Sequence, residues 1–399
     1  MSIVEPLLFP EPEVLSPEDE LLVSVVIPCL NEAANIERCV IWARTTMAEH
    51  GIRGEVVVAD NDSDDESAAL ALAAGARLVC ERRRGYGNAY MAGFAAAKGR
   101  YVVMADADLT YDFGEIPRFL EELENGADLV MGDRMDGIQP GAMPWLHRYI
   151  GNPILSGTLN LFFKTGVRDA HCGMRAFRRD RLPELDLRTT GMEFASEMVI
   201  RAAKADLDIR QLPIDYHPRG GTSKLSSFRD GWRHLRFLLV HSPTHLFVIP
   251  GAATFLCGLL IALVSLSRIE ILGREWQLHS MIAGALLAVV GTQVMALGLC
   301  AHAYGSYFMG EREPWFDRMR ARFRLEHGLL AGGAVAGAGA LIAAVIVLTW
   351  IQRGFGVLAE ERLLVAASAL IIIGVQVLFS SFLLSILGLR RRDGHSTDI

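Results

Sequence analysis

In the stretch MADADLTYD the carboxylates of Asp106 and Asp108 stand one residue apart, directly behind the β-forming run RYVV. Such a pair at a strand end suits Mg2+ or Mn2+, hard cations that take carboxylate oxygens, keep open positions and can be bridged by a diphosphate. Taken alone, the same spacing describes an Asx-type turn that caps a helix. Its company separates the two readings. Asn31 and Glu32 close the apolar run VSVVIPCL, Asp60 and Asp62 follow EVVVAD, and Gly85 and Gly87 punctuate the loop after ARLVCE. Acids gathered at three strand ends are costly unless a cation neutralises them.

These apolar runs alternate with helical patterns, which predicts an α/β domain whose mostly parallel sheet is covered on both faces. In such sheets ligands bind beyond the C-terminal strand ends, where all these polar residues fall. Gly85, Gly87 and Gly93 do not make G-x-G-x-x-G, so a dinucleotide site is rejected. The glycine loop reads either as backbone passing close to a ligand or as a flexible connection. Downstream, DAHCGMR carries Asp169, Cys172 and Arg175, and GMEFASEM sets Glu193 and Glu197 on one helical face. HPRGGTSKL offers Arg219, Ser223 and Lys224, a cationic loop suited to phosphate oxygens. The six cysteines show no C-x-x-C or zinc spacing and read as free thiols, with Cys172 a small packing residue.

The 399 residues, 51% hydrophobic and 21% charged, are too apolar on average for one ordinary soluble domain. From Thr244 onward four windows lack Asp, Glu, Lys and Arg: Thr244–Ser267, Leu278–Gly310, Gly328–Ile351 and Leu363–Leu389. Each exceeds the roughly 20 residues that cross a bilayer. The expected organisation is a loosely attached acidic arm (1–20), a catalytic domain (21–225), an amphipathic juxtamembrane helix (226–243), a transmembrane region (244–389, helices near 244–267, 280–308, 328–351 and 363–389) and a short tail (390–399). Arg312, Arg318, Arg320, Arg322 and Arg324 follow the second span and Arg390, Arg391 and Arg392 the fourth, which places the catalytic domain and both termini in the cytoplasm. A bacterial plasma membrane is the expected location. Gly333 and Gly337 form a small-xxx-small pair expected to pack against another helix. SSFRDGWRHLRFLLVHSP reads as an interfacial helix, whereas WLHRYIGNPILSGTLNLFF could face either core or lipid. The net charge of -7 sums two unlike halves and says little; no nucleic-acid partner is implied, and homo-oligomer formation is left open.

Taken in order, VVIPCLNE, VVVADNDSDDES, RGYGNAYMAGFAAAKG, VVMADADLTYD, DAHCGMRAF and RGGTSKL resemble the family 2 glycosyltransferases, specifically the polyprenyl-phosphate hexosyltransferases such as dolichyl-phosphate mannose and glucose synthases. The resemblance covers about residues 23–240. It implies a GT-A fold, a nucleotide sugar donor of the UDP-glucose or GDP-mannose class, Mg2+ or Mn2+, and inverting transfer to polyprenyl phosphate on the cytoplasmic membrane face. Carried onto this chain, Pro28, Asn31, Glu32, Asp60, Asp62 and Gly87 would serve the nucleotide, and Asp106 and Asp108 the metal and diphosphate. Arg175, Arg219, Ser223 and Lys224 would grip the acceptor phosphate, with Glu197 near the acceptor; Asp108, Arg175, Glu197, Arg219 and Lys224 form the expected catalytic set. Thr110 departs from the family's mannose synthases, which carry a metal-side Gln there. Arg219 stands five residues before Lys224 rather than the six of many relatives. The alternatives are a processive polysaccharide synthase, whose Q-x-x-R-W motif this chain lacks, and a non-catalytic scaffold or flippase, against which the four charge-free spans argue.

Overall fold

The computed structural model describes residues 21–220, 227–267, 270–271, 274–308, 314–355 and 360–389. They fall into two compact units, Met1–Leu238 and Leu239–Ile399.

The first unit holds a seven-stranded sheet built from β1 (Val23–Cys29), β2 (Gly54–Asp60), β3 (Arg77–Cys80), β4 (Tyr101–Met104), β5 (Leu129–Asp133), β6 (Arg175–Arg178) and β7 (Ile209–Pro213), in the order β3-β2-β1-β4-β6-β5-β7. Every pairing is parallel except those of β6, which runs against both β4 and β5. The helices are α1 (Ile36–Glu49), α2 (Ser67–Ala73), α3 (Tyr86–Ala96), α4 (Ile116–Glu124), α5 (Asn152–Phe163), α6 (Leu182–Leu185), α7 (Phe194–Lys204) and α8 (Ser227–Val240). Val25 and Ile27 enter a core shared with Ile36, Val40 and Phe119, while Val26, Val102 and Met104 enter a second core with Tyr90, Phe94 and Met198. Successive strand residues point to opposite faces, so a strand covered on both sides is apolar at nearly every position, as VSVVI is; its one polar residue, Ser24, is buried and satisfied by Glu55 and the Lys98 and Gly99 amides.

The sheet's polarity brings the polar loops together. β1, β2 and β4 are parallel neighbours, so the chain after Cys29, Asp60 and Met104 emerges along one edge. Pro28 lies beyond Val26, the last β1 residue paired with β4. Three residues in these loops, Asn31, Asp62 and Leu109, are left-handed, with φ of 54°, 65° and 62°. Asn and Asp tolerate that conformation, but Leu109 is strained and marks a bend forced between Asp108 and Thr110.

The stretch that the sequence left open between core and lipid is amphipathic. Leu155 and Leu159 are buried, whereas Trp145 and Tyr149 are 66% and 58% exposed and Ile154 and Leu161 point outward beside them. α8 contributes Phe237 and Leu238 to the second core and leaves Trp232 exposed.

In the second unit, a turn at Thr244–Val248 leads into α9 (Ile249–Ser267). A two-stranded ribbon of β8 (Glu270–Ile271) and β9 (Arg274–Glu275) follows, then α10 (Leu278–Phe308), α11 (Pro314–Arg322), α12 (Leu325–Gln352) and α13 (Glu361–Leu389). Among the described residues four helices are long and apolar enough to cross a membrane, Thr244–Ser267, Leu278–Tyr307, Leu325–Gln352 and Glu361–Gly388. The expected packing role of Gly333 and Gly337 is corrected, because both face open space. The close approach is made instead by Gly332 and Gly339, where a Cβ would sit 2.7 Å from Gly374 O and 2.6 Å from Ala367 O of α13. A seam between nearly straight helices returns to the same side every seven residues, and only the partner's position selects which seam is used. Gly332→Leu is therefore expected to destabilise the unit by about 1–3 kcal/mol through overpacking, and Gly333→Leu to be neutral. Thermal unfolding of the full chain in detergent checks the pair.

Candidate functional site

The loop after β4 carries Asp106 and Asp108. One oxygen of Asp106, Oδ1, accepts the hydroxyls of Tyr86 (3.0 Å) and Tyr90 (3.2 Å), which lie one turn apart on α3. Its other oxygen faces Gly173, where a Cβ would stand 2.6 Å away. Burial, and then the neighbouring charge of Asp108, push the Asp106 carboxyl up to about 6. Asp108 is more deeply enclosed. Its Oδ1 accepts the Thr110 amide (3.1 Å) and hydroxyl (2.6 Å), and its Oδ2 accepts Nε of Arg219 (2.7 Å) and a second guanidinium nitrogen. Thr110, standing where mannose synthases carry Gln, thus spends its hydroxyl on orienting Asp108.

Two neighbouring carboxylates, one held up near 6 by burial and then by its partner's charge, fit a divalent cation, which would relieve both. Among the described residues no third His, Cys, Asp or Glu joins them in a metal-sized group, so diphosphate and water would have to fill the remaining positions. The raised Asp106 value, against an ordinary 3.8, means that the folded protein holds this proton more tightly than the unfolded chain. That contribution to stability is present below about pH 4 and is lost as pH rises through about 6. Mn2+ with a nucleoside diphosphate is expected to raise the melting temperature more at pH 7 than at pH 5, where protons compete for the carboxylate.

At the ends of β1 and β2, Asp60 is buried; its Oδ2 accepts the Ser63 amide at 3.3 Å, while Oδ1 is buried without a partner. Asn31 locks the two loops together, accepting the Asp64 amide (2.8 Å) and donating its own amide to Ser63 Oγ (3.0 Å). Glu32 donates its amide to Ser67 Oγ at 2.8 Å. Arg84 reaches over from the glycine loop to Asp62 (3.5 Å) and Asp64 (3.2 Å). One residue absent from the sequence-derived set is central here. Asn61, buried, donates to Glu81 O and Arg83 O at 2.9 Å each and accepts the Gly85 amide at 2.7 Å, tying the third loop to the second. Its signal was an Asn directly after a strand, a residue that bonds nearby backbone.

Three expectations change. The backbone neighbour of Gly87 is protein: its amide donates to Thr190 O (3.0 Å), and a Cβ would collide with Thr189 O. Glu197 is buried and accepts the Arg188 amide and the Thr189 amide (2.8 Å) and hydroxyl (2.6 Å), so it holds the 188–190 segment that packs on Gly85 and Gly87. Arg175 is 0% exposed, and each nitrogen of its guanidinium donates to backbone, Cys172 O (2.9 Å), Ala195 O (2.7 Å) and Ala170 O (2.9 Å), so it is buried in protein and not presented to an acceptor phosphate. Its position at the start of β6, inside the sheet, turns a cation that looked functional into a clamp on the 170–173 turn.

Nearby, Asp169 forms a buried pair with Arg134 (2.6 and 2.8 Å), whose guanidinium also lies over the Tyr216 ring. Cys172 is buried and its thiol is pushed up to about 12 by that burial, which suits packing and not nucleophilic attack. Glu193 pairs with Arg233 of α8 at 3.5 Å, and Ser196 Oγ lies between His171 Nε2 (3.3 Å) and His234 Nδ1 (3.2 Å). Ser223 and Lys224 lie outside the described residues.

A mostly parallel sheet of this order, with paired acids at the edge where three loops meet, is the GT-A architecture that the resemblance implied. Residues 24–185 match the family model "Glycosyl transferase family 2" and residues 299–388 match "Glycosyltransferase family 2 C-terminal transmembrane region". The chain belongs to glycosyltransferase family 2. It is 41% identical to the low-salt glycan biosynthesis hexosyltransferase Agl6 of Haloferax volcanii, over 92% of this chain and 89% of that protein. A dolichyl-phosphate hexose transferase of the same organism is 37% identical over 45% of this chain and 77% of its own length. An undecaprenyl-phosphate 4-deoxy-4-formamido-L-arabinose transferase of Pseudomonas aeruginosa is 28% identical over 76% of this chain and 89% of its own.

Proposed function

We propose that this enzyme moves a hexose from a nucleotide sugar to polyprenyl phosphate at the cytoplasmic face of a membrane, inverting an α-linked donor to a β-linked lipid phosphate. The observation that carries the proposal is the pairing of Asp106 and Asp108 at the sheet edge, in a chain that also has four membrane-length helices. Asp60, with one buried oxygen left without a partner, is suited to accept an N–H of the base or a ribose hydroxyl, and Asn31 fixes the loop that presents it. Asp106 and Asp108 are the residues that would hold Mg2+ or Mn2+. A cation bound there would stabilise the charge that develops on the leaving diphosphate. Polyprenyl phosphate is itself an anionic nucleophile near neutral pH, so no side chain need remove a proton. Arg219 is the described cation beside the paired acids, and Lys224 follows it in sequence.

The relatives named for dolichyl and undecaprenyl phosphate support a lipid acceptor. The outward face of Trp145, Tyr149, Ile154 and Leu161, in a stretch without Asp or Glu from 137 to 168, fits an anionic lipid surface. Arg318, Arg320, Arg322 and Arg324 between the second and third spans support the cytoplasmic orientation. Incubating the purified full chain with labelled UDP-glucose or GDP-mannose, undecaprenyl phosphate and Mn2+ should give a labelled lipid. Release of free sugar alone, with every donor and either metal, would sink the lipid-acceptor reading.

A further inference from the structure

Asp108 faces two claims on one oxygen. Its Oδ1 is taken by Thr110, through both amide and hydroxyl, so Oδ2 is the atom left for a cation. That atom already accepts two nitrogens of Arg219. The carboxylate side of this pair is sealed and the guanidinium side is not: the Asp108 side chain is 5% exposed and that of Arg219 is 31% exposed. Nor is Arg219 a loose surface side chain that happens to fall on an acid. The chain around it is bonded to the D-x-D loop by His217 N to Thr110 O (3.0 Å) and Gly220 N to Asp108 O (3.0 Å), and to the residue that precedes α1 by Asn35 Nδ2 to Gly220 O (2.6 Å). Gly220 sits so close to Asn35 that a Cβ there would lie 2.5 Å from its amide oxygen. The backbone presents the guanidinium to Asp108 from a fixed direction.

A carboxylate oxygen offers two lone-pair directions, and on Oδ2 both already accept guanidinium nitrogens, so a cation that takes this atom has to displace at least one of them. We infer that Arg219 is a built-in counter-ion that competes with the metal for Oδ2 of Asp108, so that taking up the metal and releasing the guanidinium are one exchange. The inference rests on the metal reading above. The exchange explains how the protein keeps a buried carboxylate neutralised without a cation, and it sets a condition on binding. A bare cation displaces Arg219 into nothing, whereas a cation that arrives with a nucleoside diphosphate brings phosphate oxygens that the freed guanidinium can grip. Metal and nucleotide therefore bind cooperatively, and Arg219 is the residue that couples them.

The test is a titration of Mn2+ into the purified full chain, following free Mn2+ by electron paramagnetic resonance, with and without UDP or GDP. Arg219→Gln, which removes the charge, is expected to bind Mn2+ alone about tenfold more tightly than the unaltered protein, a common size for coupling between sites. The gain that nucleotide gives to Mn2+ affinity should shrink by a similar factor. Arg219→Lys, which keeps the charge and loses the two-nitrogen grip, should fall between the two, and melting curves show whether each variant is folded. Unchanged or weaker Mn2+ binding in a folded Arg219→Gln, with Asp108→Asn abolishing binding, overturns the inference and leaves the metal reading standing. If the unaltered chain takes up no Mn2+ with either nucleotide, both fall.

Discussion

Asp108→Asn is expected to lower sugar transfer by about a thousandfold or more, the scale of losing a major electrostatic contact to the leaving group. The substitution keeps the shape of the side chain, and its remaining carbonyl oxygen can still accept the Thr110 amide and hydroxyl. What disappears is the charge. A cation would then be held by Asp106 alone, and Arg219 would lose the partner that fixes it. Because the donors from Thr110 keep a partner, the loop should hold its form; the lost ion pair, with Nδ2 now facing the guanidinium, lowers the melting temperature, so the loss in kcat is read where melting curves show the variant folded. Transfer of label to lipid under limiting Mn2+ measures it, and turnover close to the unaltered enzyme would remove Asp108 from the metal site.

Arg175→Leu should show the opposite pattern, a collapse of stability. The carbonyl oxygens of Ala170 and Cys172 lose their donor, and that of Ala195 is left with its helical partner alone, in a place where the side chain is 0% exposed and water cannot replace it. Each unmet buried acceptor costs about 1–3 kcal/mol, so a total of about 2–6 kcal/mol is expected for the two, enough to unfold many domains. Arg175→Lys keeps the charge but cannot fan three donors across the turn, and should lie in between. Urea unfolding of the catalytic unit's signal in the full chain reads the difference. A stable Arg175→Leu with lost transfer would return this residue to the acceptor phosphate.

Much of the molecule was legible because its signals are local. Runs such as VSVVIPC are apolar at all but one position since both sheet faces are covered, and the acids follow where those runs stop. The reversed direction of β6 was not legible, because RAFR reads the same in either sense. Arg175 and Glu197 looked like site residues for a related reason. A charged side chain in a motif carries no mark of whether its partners are substrate or backbone, and here the backbone of the 170–173 and 188–190 segments claims both. Gly333 was as good a packing glycine as Gly332 until α13 chose the side.

The sequence by itself determined the α/β sheet, the D-x-D loop at its edge, the four membrane-length helices and the family. The first three rest on periodicity and spacing over a few residues, which the chain's own hydrophobicity enforces, and the family rests on the resemblance of the motifs in their order. Only the tertiary structure decided who meets whom. Arg219 and Asp108 are 111 residues apart, and their ion pair exists because the loop after β7 is bonded across the end of β4. Long charged side chains can reach many partners at that range, and burial, which no local pattern encodes, selects one of them.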